Sequence, residues 1–280
     1  VRYLEKTNDY IFIYFDSANY QILGQSRAKN MLLYKDLVVK SNTVDPNNDI
    51  DIDADILDVE DANGNIHRLT SVNVTNQIDQ TAGINSIDTG AVAINTTYAV
   101  WIIYNPTTNT IGSLTSLSFT LGGLTLPTNY TYGRLVDFVR NDGSDNLINF
   151  TSINGTHLWD SPTDDTQALT AGAATSFTDV DLTSWAGDAS LVKTAIIGWM
   201  LQQLSEVASI TSAYLRTNGT VGTNGKLLGK ATRNNSNTLQ SNYASGEIMI
   251  HLDANLKIEY KISVATADLD LYVNGVILNI

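Results

Sequence analysis

The residues in this chain best suited by type and spacing to chemistry lie between Asn48 and Asp61, in the run NDIDIDADILDVED. Laid on the calcium loop of an EF-hand, the run puts Asp49, Asp51, Asp53 and Asp55 at positions 1, 3, 5 and 7, Ile56 at position 8 and Glu60 at position 12. Calcium requires its oxygens within about 2.6 Å, so the carboxylates must converge. An extended chain cannot do this, because alternate residues advance about 6.6 Å and the outer carboxylates end on the order of 20 Å apart. The sixth loop position, which must turn sharply, is Ala54 rather than glycine, and a positive φ there is strained. Pro46 precedes the run and Asn63-Gly64 follows it, where an EF-hand needs helices. The run therefore reads as a strand with Ile50, Ile52, Ala54 and Ile56 inward and the aspartates on its wet side. A looser surface calcium site is the alternative. Acidic residues along an exposed strand edge would also discourage aggregation.

The other candidates carry weaker signals. His67, His157 and His251 have no paired spacing and read as surface or turn residues rather than metal ligands. No G-x-S-x-G elbow, G-x-x-x-x-G-K-[ST] loop or G-x-G-x-x-G occurs. The tract Gly219–Gly229, with Lys226 and Lys230 near it, reads as a long hairpin loop rather than a phosphate cradle. The neighbouring carboxylates Asp164 and Asp165 read as solvated charge in a polar linker. Trp159 and Trp185 could stack on sugar rings, but core or interdomain packing is the better reading for each. No catalytic, cofactor or metal residue is assigned, and no receptor-binding residue can be named.

Composition narrows the classes further. A net charge of -13 over 280 residues, with the 16 basic residues scattered, repels phosphate backbones, so nucleic-acid binding is not expected. There are no cysteines, which excludes disulfides, thiol catalysis and Cys-ligated zinc. No apolar run approaches the roughly 20 residues that cross a bilayer, and Val1 opens without a charged and apolar leader.

The elements that must position these residues are strands. Tyr10–Asp16 (YIFIYFD) is a dense aromatic strand, followed by Arg27, Lys29, Lys35 and Lys40; this N-terminal part reads either as an attachment segment or as an extra strand and turn. Asp61–Gly64 marks a hairpin, with φ > 0 expected at both Asn63 and Gly64. Tyr98–Tyr104 (YAVWIIY) is apolar on both faces, as a doubly buried central strand must be, and it ends at Asn105-Pro106. Ser113–Leu121 alternates, with Leu114, Leu117 and Phe119 inward. Leu135–Val139 and Leu147–Ile153 flank Asn141-Asp142-Gly143 as another hairpin. The polar run from Asn154, with Pro162, reads as a boundary between domains. Beyond it Glu247–Leu252, Lys257–Ile262 and Asp268–Val273 alternate apolar and polar residues. Ala195–Val207 shows helical spacing, yet Gly198 costs a helix about 1 kcal/mol and its neighbours are β, so strand is preferred.

Several runs together are familiar. Ile50–Asp79, Ile87–Ile111 with its Asp88-Thr89-Gly90 turn, and Thr125–Phe150 with Leu126-Pro127, Tyr130-Thr131-Tyr132 and Arg140–Ser144 resemble a domain widespread in bacteriophage tail-fibre and related virion proteins. Tyr214–Thr220 and Leu252–Leu278 are similar to the sandwich that often follows it. The matching residues turn or pack the chain, and no catalytic residue carries over. The strand pattern and the resemblance together predict an all-β protein of two tandem antiparallel, jelly-roll-like β-sandwiches at 43–153 and 166–280, joined by the polar linker at 154–165; the Asp-rich lead-in and residues 1–42 depart from the family's pattern, and 1–42 is read as an N-terminal attachment segment. The resemblance implies a non-enzymatic virion protein, a fibre or surface decoration of tail, collar or head that contributes to host contact. Other virion proteins, a homotrimer and a host-surface glycan are the partners expected; membrane insertion and cofactors are not. A free carbohydrate-binding adhesin and a glycan depolymerase are the rival readings.

Overall fold

The computed structural model describes residues 2–6, 9–16, 19–27, 33–160, 166–203, 209–221, 225–233 and 242–280, and these form an all-β protein. The first strands, β1 (Arg2–Lys6), β2 (Asp9–Asp16) and β3 (Asn19–Arg27), make an antiparallel meander in which the aromatic run is the middle strand. The expected attachment segment does not extend to residue 42. β4 (Tyr34–Lys35) and β5 (Val38–Ser41) both pair with the long β6 (Asp49–Asp61), and Leu37 and Val39 are only 1% exposed. These strands are too short for alternation to announce them; their apolar side chains belong to the main core.

β6 turns into β7 (Ile66–Gln77) at the expected hairpin. Only Gly64 is left-handed there, at φ 79, and the Asp61 N–H bonds the Asn65 carbonyl at 3.0 Å. The loop is thus the longer kind closed at a glycine, not a two-residue turn. The inward phase of β6 holds for Ile50, Ile52 and Ala54 and then slips to Leu57 and Val59. Ser71, at φ 54, stands on β7 between the pairs Ala54–Val72 and Ile56–Thr70, where the slip occurs.

β8 (Ser86–Ile87), β9 (Thr97–Asn105), β10 (Thr110–Ser116) and β11 (Tyr132–Arg140) complete this half. As expected, β9 is buried on both faces. Tyr98, Val100, Ile102 and Tyr104 enter the main core, while Ala99, Trp101 and Ile103 meet Leu114 and Tyr130 in a second cluster. The strand expected at Ser113–Leu121 ends early, at Ser116, and Leu117 is 68% exposed. The Trp101 indole donates to the Ser118 carbonyl at 3.0 Å, and a 3-10 turn at Leu121–Gly123 then helps cover the second cluster.

β12 (Phe150–Ile153) and β13 (Thr156–Trp159) correct the expected linker. Asn154 and Gly155 have φ of 50 and 82 and join Ile153 to Thr156, the two-residue turn of a tight hairpin. β13 then pairs with the last strand of the chain, and Trp159 is buried. Residues 161–165, including Asp164 and Asp165, lie outside the described residues. The hairpin expected between Leu135–Val139 and Leu147–Ile153 is only begun, by the Asn141–Leu147 bridge, before β12 leaves to pair with β5 and β13.

The second half contains β14 (Gln167–Gly172), β15 (Thr178–Asp181), a single helical turn α1 (Thr183–Ala186), β16 (Val192–Gln203), β17 (Ser209–Thr217), β18 (Lys226–Arg233), β19 (Asn242–His251), β20 (Lys257–Ile262) and β21 (Ala267–Leu278). The ambiguous segment from Ala195 is strand as far as Gln203; 204–207 lie outside the described residues. Gly198 has a reason within the sheet: a Cβ there would stand 2.8 Å from the Asn274 side chain, which crosses to Glu247. One ladder runs β19-β16-β21-β13-β12-β5-β6-β11-β9-β10-β8, so hydrogen bonding does not break between the two halves. A four-stranded sheet, β15-β20-β17-β18, packs on the β16 and β21 end, where Trp199 lies against Gly229.

Candidate functional site

The acidic run is a single strand of 13 residues, and strand β7 answers it residue by residue. Asp49, Asp51 and Asp53 stand opposite Gln77, Thr75 and Asn73. Each of these donates to the carboxylate it faces, at 3.3, 2.9 and 2.7 Å. From the other side, Asn42 gives Asp51 both its amide contacts, at 2.9 and 3.1 Å. Asp55 takes the Lys35 ammonium at 2.6 Å, and that hydrogen bond holds its carboxyl below the usual range. Asp58, 3% exposed, takes Arg68 Nε at 2.7 Å and the Leu33 N–H at 3.2 Å, and the Arg68 bond depresses it. Asp61 is lowered by Asn65, whose side chain and backbone both donate to it. The carboxylates are spread along a ladder instead of gathered about a point. Among the described residues, no group of three or more His, Asp or Glu side chains is placed to hold a metal.

The histidines separate. His251 is exposed and meets Thr194 at 3.0 Å, and His67 stacks on Tyr104 with ring centroids 4.3 Å apart. His157 is a correction: it is fully buried, although its sequence neighbours are turn residues. Its Nδ1 lies 2.8 Å from Asp137 Oδ1, and its ring is stacked between Phe138 and Phe150 at 4.6 and 4.7 Å. Trp159 closes the edge of this box, at 4.4 Å from the imidazole. Asp137 is equally inaccessible, so the pair belongs to the packing between β11 and β13. Trp185 is half-buried against the same core. The glycine tract is interrupted by 222–224, outside the described residues; Gly219 turns at φ 72, and Lys226 and Lys230 lie on β18.

The open polar site is elsewhere, at the loop end of the first half. The segments 42–48, 78–85, 88–96 and 141–149 meet there around a cleft of about 400 Å³, lined by Asn48, Asp79, Gln80, Thr81, Ala91 and Asp145 among others. Backbone hydrogen bonds tie these loops to one another. Ile78 donates to Asn48 at 3.0 Å, Asn95 to Asp142 at 3.0 Å, Asn141 to Thr96 at 3.0 Å and Leu147 to Asn47 at 2.8 Å. The hydroxyl of buried Tyr98 accepts the Ala93 N–H at 2.7 Å, anchoring one rim to the core. Asp145 is left-handed at φ 68, and its Oδ1 takes the Nδ2 of Asn141 at 2.8 Å. Asn141 is 1% exposed, and its own Oδ1 has no partner among the described residues. Among the described residues, Asp79 accepts from its neighbour Gln80 alone, at 3.0 Å. The cleft also abuts the end of the ladder: burial first, then the charges of Asp45, Asp79 and Asp51, push the Asp49 carboxyl up, against the bond from Gln77.

Sequence reasoning marks Asn141-Asp142-Gly143 and Asp88-Thr89-Gly90 as turns, but not that they face one another. The available signal was their shared place at strand ends, which a single ladder brings to one end of the molecule. No protein-family model matches the sequence, and no curated protein matches it.

Proposed function

We propose that this chain is a non-enzymatic structural protein of a bacteriophage particle, a fibre or surface decoration of tail, collar or head that contributes to contact with the host surface. The observation that carries the reading is the division of labour among its polar groups. The aspartates along β6 and the Asp137–His157 pair are taken up in hydrogen bonds to neighbouring strands and turns. A group of polar side chains open to solvent, Asp79, Gln80 and Asp145 among them, lies on loops locked to each other at one end. Loops fixed on a rigid sheet are the usual place for recognition.

The resemblance supports the same reading. Its residues are those that turn or fill the fold: Gly64 and Gly90 are left-handed at φ 79 and 78, and Tyr98 and Trp101 are buried. By the same resemblance the particle form is a homotrimer bound to other virion proteins.

Mass spectrometry and immunogold labelling of purified particles test this. The protein is expected on every particle at a fixed copy number, and light scattering of the purified chain is expected to return three times the chain mass of 30.4 kDa. A free carbohydrate-binding adhesin would share the cleft but be missing from particles, and that outcome would sink the virion reading.

A further inference from the structure

We infer that a cavity beside the Asp88-Thr89-Gly90 turn binds a primary ammonium group carried on a short aliphatic chain; the inference is independent of the virion reading. The turn follows β8, the end of β10 runs beside it, and Gly123 lines the space from the 3-10 turn. The cavity measures about 350 Å³, near the lower end for small-ligand pockets. A slender group fits it better than a ring system. Asp88 decides its chemistry. This residue is only 8% exposed, yet it lines the cavity. Its N–H donates to the Thr115 carbonyl at 2.8 Å, and its Oδ2 accepts the Ser116 hydroxyl at 2.9 Å and the Thr125 N–H at 3.2 Å. Ser116 Oγ in turn accepts the Ser118 N–H at 3.0 Å. These bonds fix the direction of the carboxylate and leave Oδ1 without a partner among the described residues. Oδ1 is nevertheless not among the unpartnered atoms sealed from solvent, so it opens on the cavity.

Charge sets the class of ligand. Buried Asp58 and Asp137 lie on Arg68 and His157, whereas Asp88 forms no ion pair among the described residues. A carboxylate set this deep without a counter-charge is costly, and an arriving cation offsets that cost where a hydroxyl would leave the charge in place. None of the side chains lining the cavity is basic, so an anion has nothing to meet. A divalent metal fits poorly as well. Asp88 is the only carboxylate in the lining, and calcium and magnesium sites draw on more oxygen ligands than one carboxylate and its hydroxyl neighbours supply. An organic cation asks for less. Ile87, Ala91 and Leu117 give its methylene groups an apolar wall, and the Tyr98 ring adds an aromatic surface of the kind that attracts cations. Leu117, 68% exposed, stands at the solvent side of this wall. The net charge of -13 draws cations towards the molecule as a whole. Because the bonds from Thr115, Ser116 and Thr125 already hold Asp88 in place, little ordering remains to oppose binding. The ammonium can come from a free amine or from a lysine side chain of a partner protein.

The test is carboxyl-carbon NMR and calorimetry on the full chain with a fixed panel of probes: n-butylamine, cadaverine, Nα-acetyl-lysine amide, and the uncharged and anionic counterparts n-butanol and butyrate. At least one ammonium probe is expected to shift the Asp88 carboxyl resonance saturably at millimolar concentration, with n-butanol and butyrate inert. Asp88→Asn is expected to weaken that binding about tenfold or more, the loss of one charge-assisted hydrogen bond. Ala91→Trp, which fills the mouth without touching a charge, is expected to abolish it, while Asp53→Asn on the ladder leaves it unchanged. Response to the simple amines alone assigns the site to free amines, and response to the lysine amide as well shows that a lysine side chain of a partner can enter; both support the inference. Silence of every ammonium probe, equal response to n-butanol, preference for butyrate, or indifference to both Asp88→Asn and Ala91→Trp overturns it. Thermal melts identify any variant that fails to fold, and Ala91→Trp on the exposed turn decides if Asp88→Asn does.

Discussion

Two acidic regions of the first half, joined at Asp49, use the same side chain in opposite ways. Along β6 the aspartates face Asn73, Thr75 and Gln77 across an antiparallel pair, and each carboxylate receives a donor from the strand beside it. At the loop end, Asp79 and Asp145 each take a single side-chain bond among the described residues, from Gln80 and Asn141, and remain open to solvent. The difference is geometric. A strand pair delivers a partner every second residue at fixed spacing, whereas loops converge on a space and leave acceptors pointing across it. Abundance of aspartate is therefore a poor guide to a site, and the position of the facing donor is a better one.

The largest expected effect comes from the most deeply committed carboxylate. His157→Ala empties the aromatic box and leaves the buried Asp137 carboxyl with the Phe138 N–H alone among the described residues, at a cost of about 3–5 kcal/mol, read as a lowered midpoint in chemical denaturation. A loss under about 1 kcal/mol would mean that the pair does not hold β11 to β13. Next, Asp58→Asn removes the charge that meets Arg68 and lies near buried Arg134, with an expected loss of about 2 kcal/mol.

Acid should act on the same region with a definite sign. Asp55, Asp58 and Asp61 are held below their ordinary range by Lys35, Arg68 and Asn65. Their unfolded forms thus take up protons first, so the stability they supply is whole above about pH 4 and is lost as pH falls through their folded values. Asp49 runs the other way, because burial and neighbouring carboxylates raise it. Ionised Asp49 opposes folding, and Asp49→Asn is expected to leave stability at neutral pH unchanged or slightly higher. Thermal melts between about pH 3 and pH 7 separate the two behaviours; a loss at neutral pH in Asp49→Asn would contradict the account.

Smaller effects sharpen the contrast. Asn73→Ala on the exposed ladder should cost about 0.5–1 kcal/mol. Asp79→Asn and Asp145→Asn should move stability by no more than about 0.5 kcal/mol. A cleft variant that destabilises more than Asn73→Ala would show that the loop-end carboxylates also serve the fold.

Alternation made much of this legible in advance. Ile50 and Ile52, the two-faced Tyr98–Tyr104 strand and the inward set Ile258, Tyr260 and Ile262 all lie where the pattern puts them. The pattern reports which face a residue takes, however, and not which strand lies beside it. Asn154-Gly155 looked like a break because polar residues and Pro162 follow it, yet it is a tight turn that returns His157 and Trp159 to the core. Leu117, three residues beyond the inward Leu114, falls out of the period of two and is exposed past the end of β10, just before the Trp101 indole takes the Ser118 carbonyl. The cleft was hidden for the same reason. Its loops are far apart in sequence, and only the shared ladder brings Asp79 and Asp145 to one end.

The most direct test of the comparison is carboxyl-carbon NMR on the intact chain, following each aspartate side chain through a calcium titration. If the ladder carboxylates are committed to the donors of β7 and to Asn42, the Asp51 and Asp53 resonances will not move as calcium reaches millimolar concentration. A saturable shift of both resonances, lost in Asp51→Asn and Asp53→Asn, would show that the strand is a metal site and that the donors across from it are not its true partners.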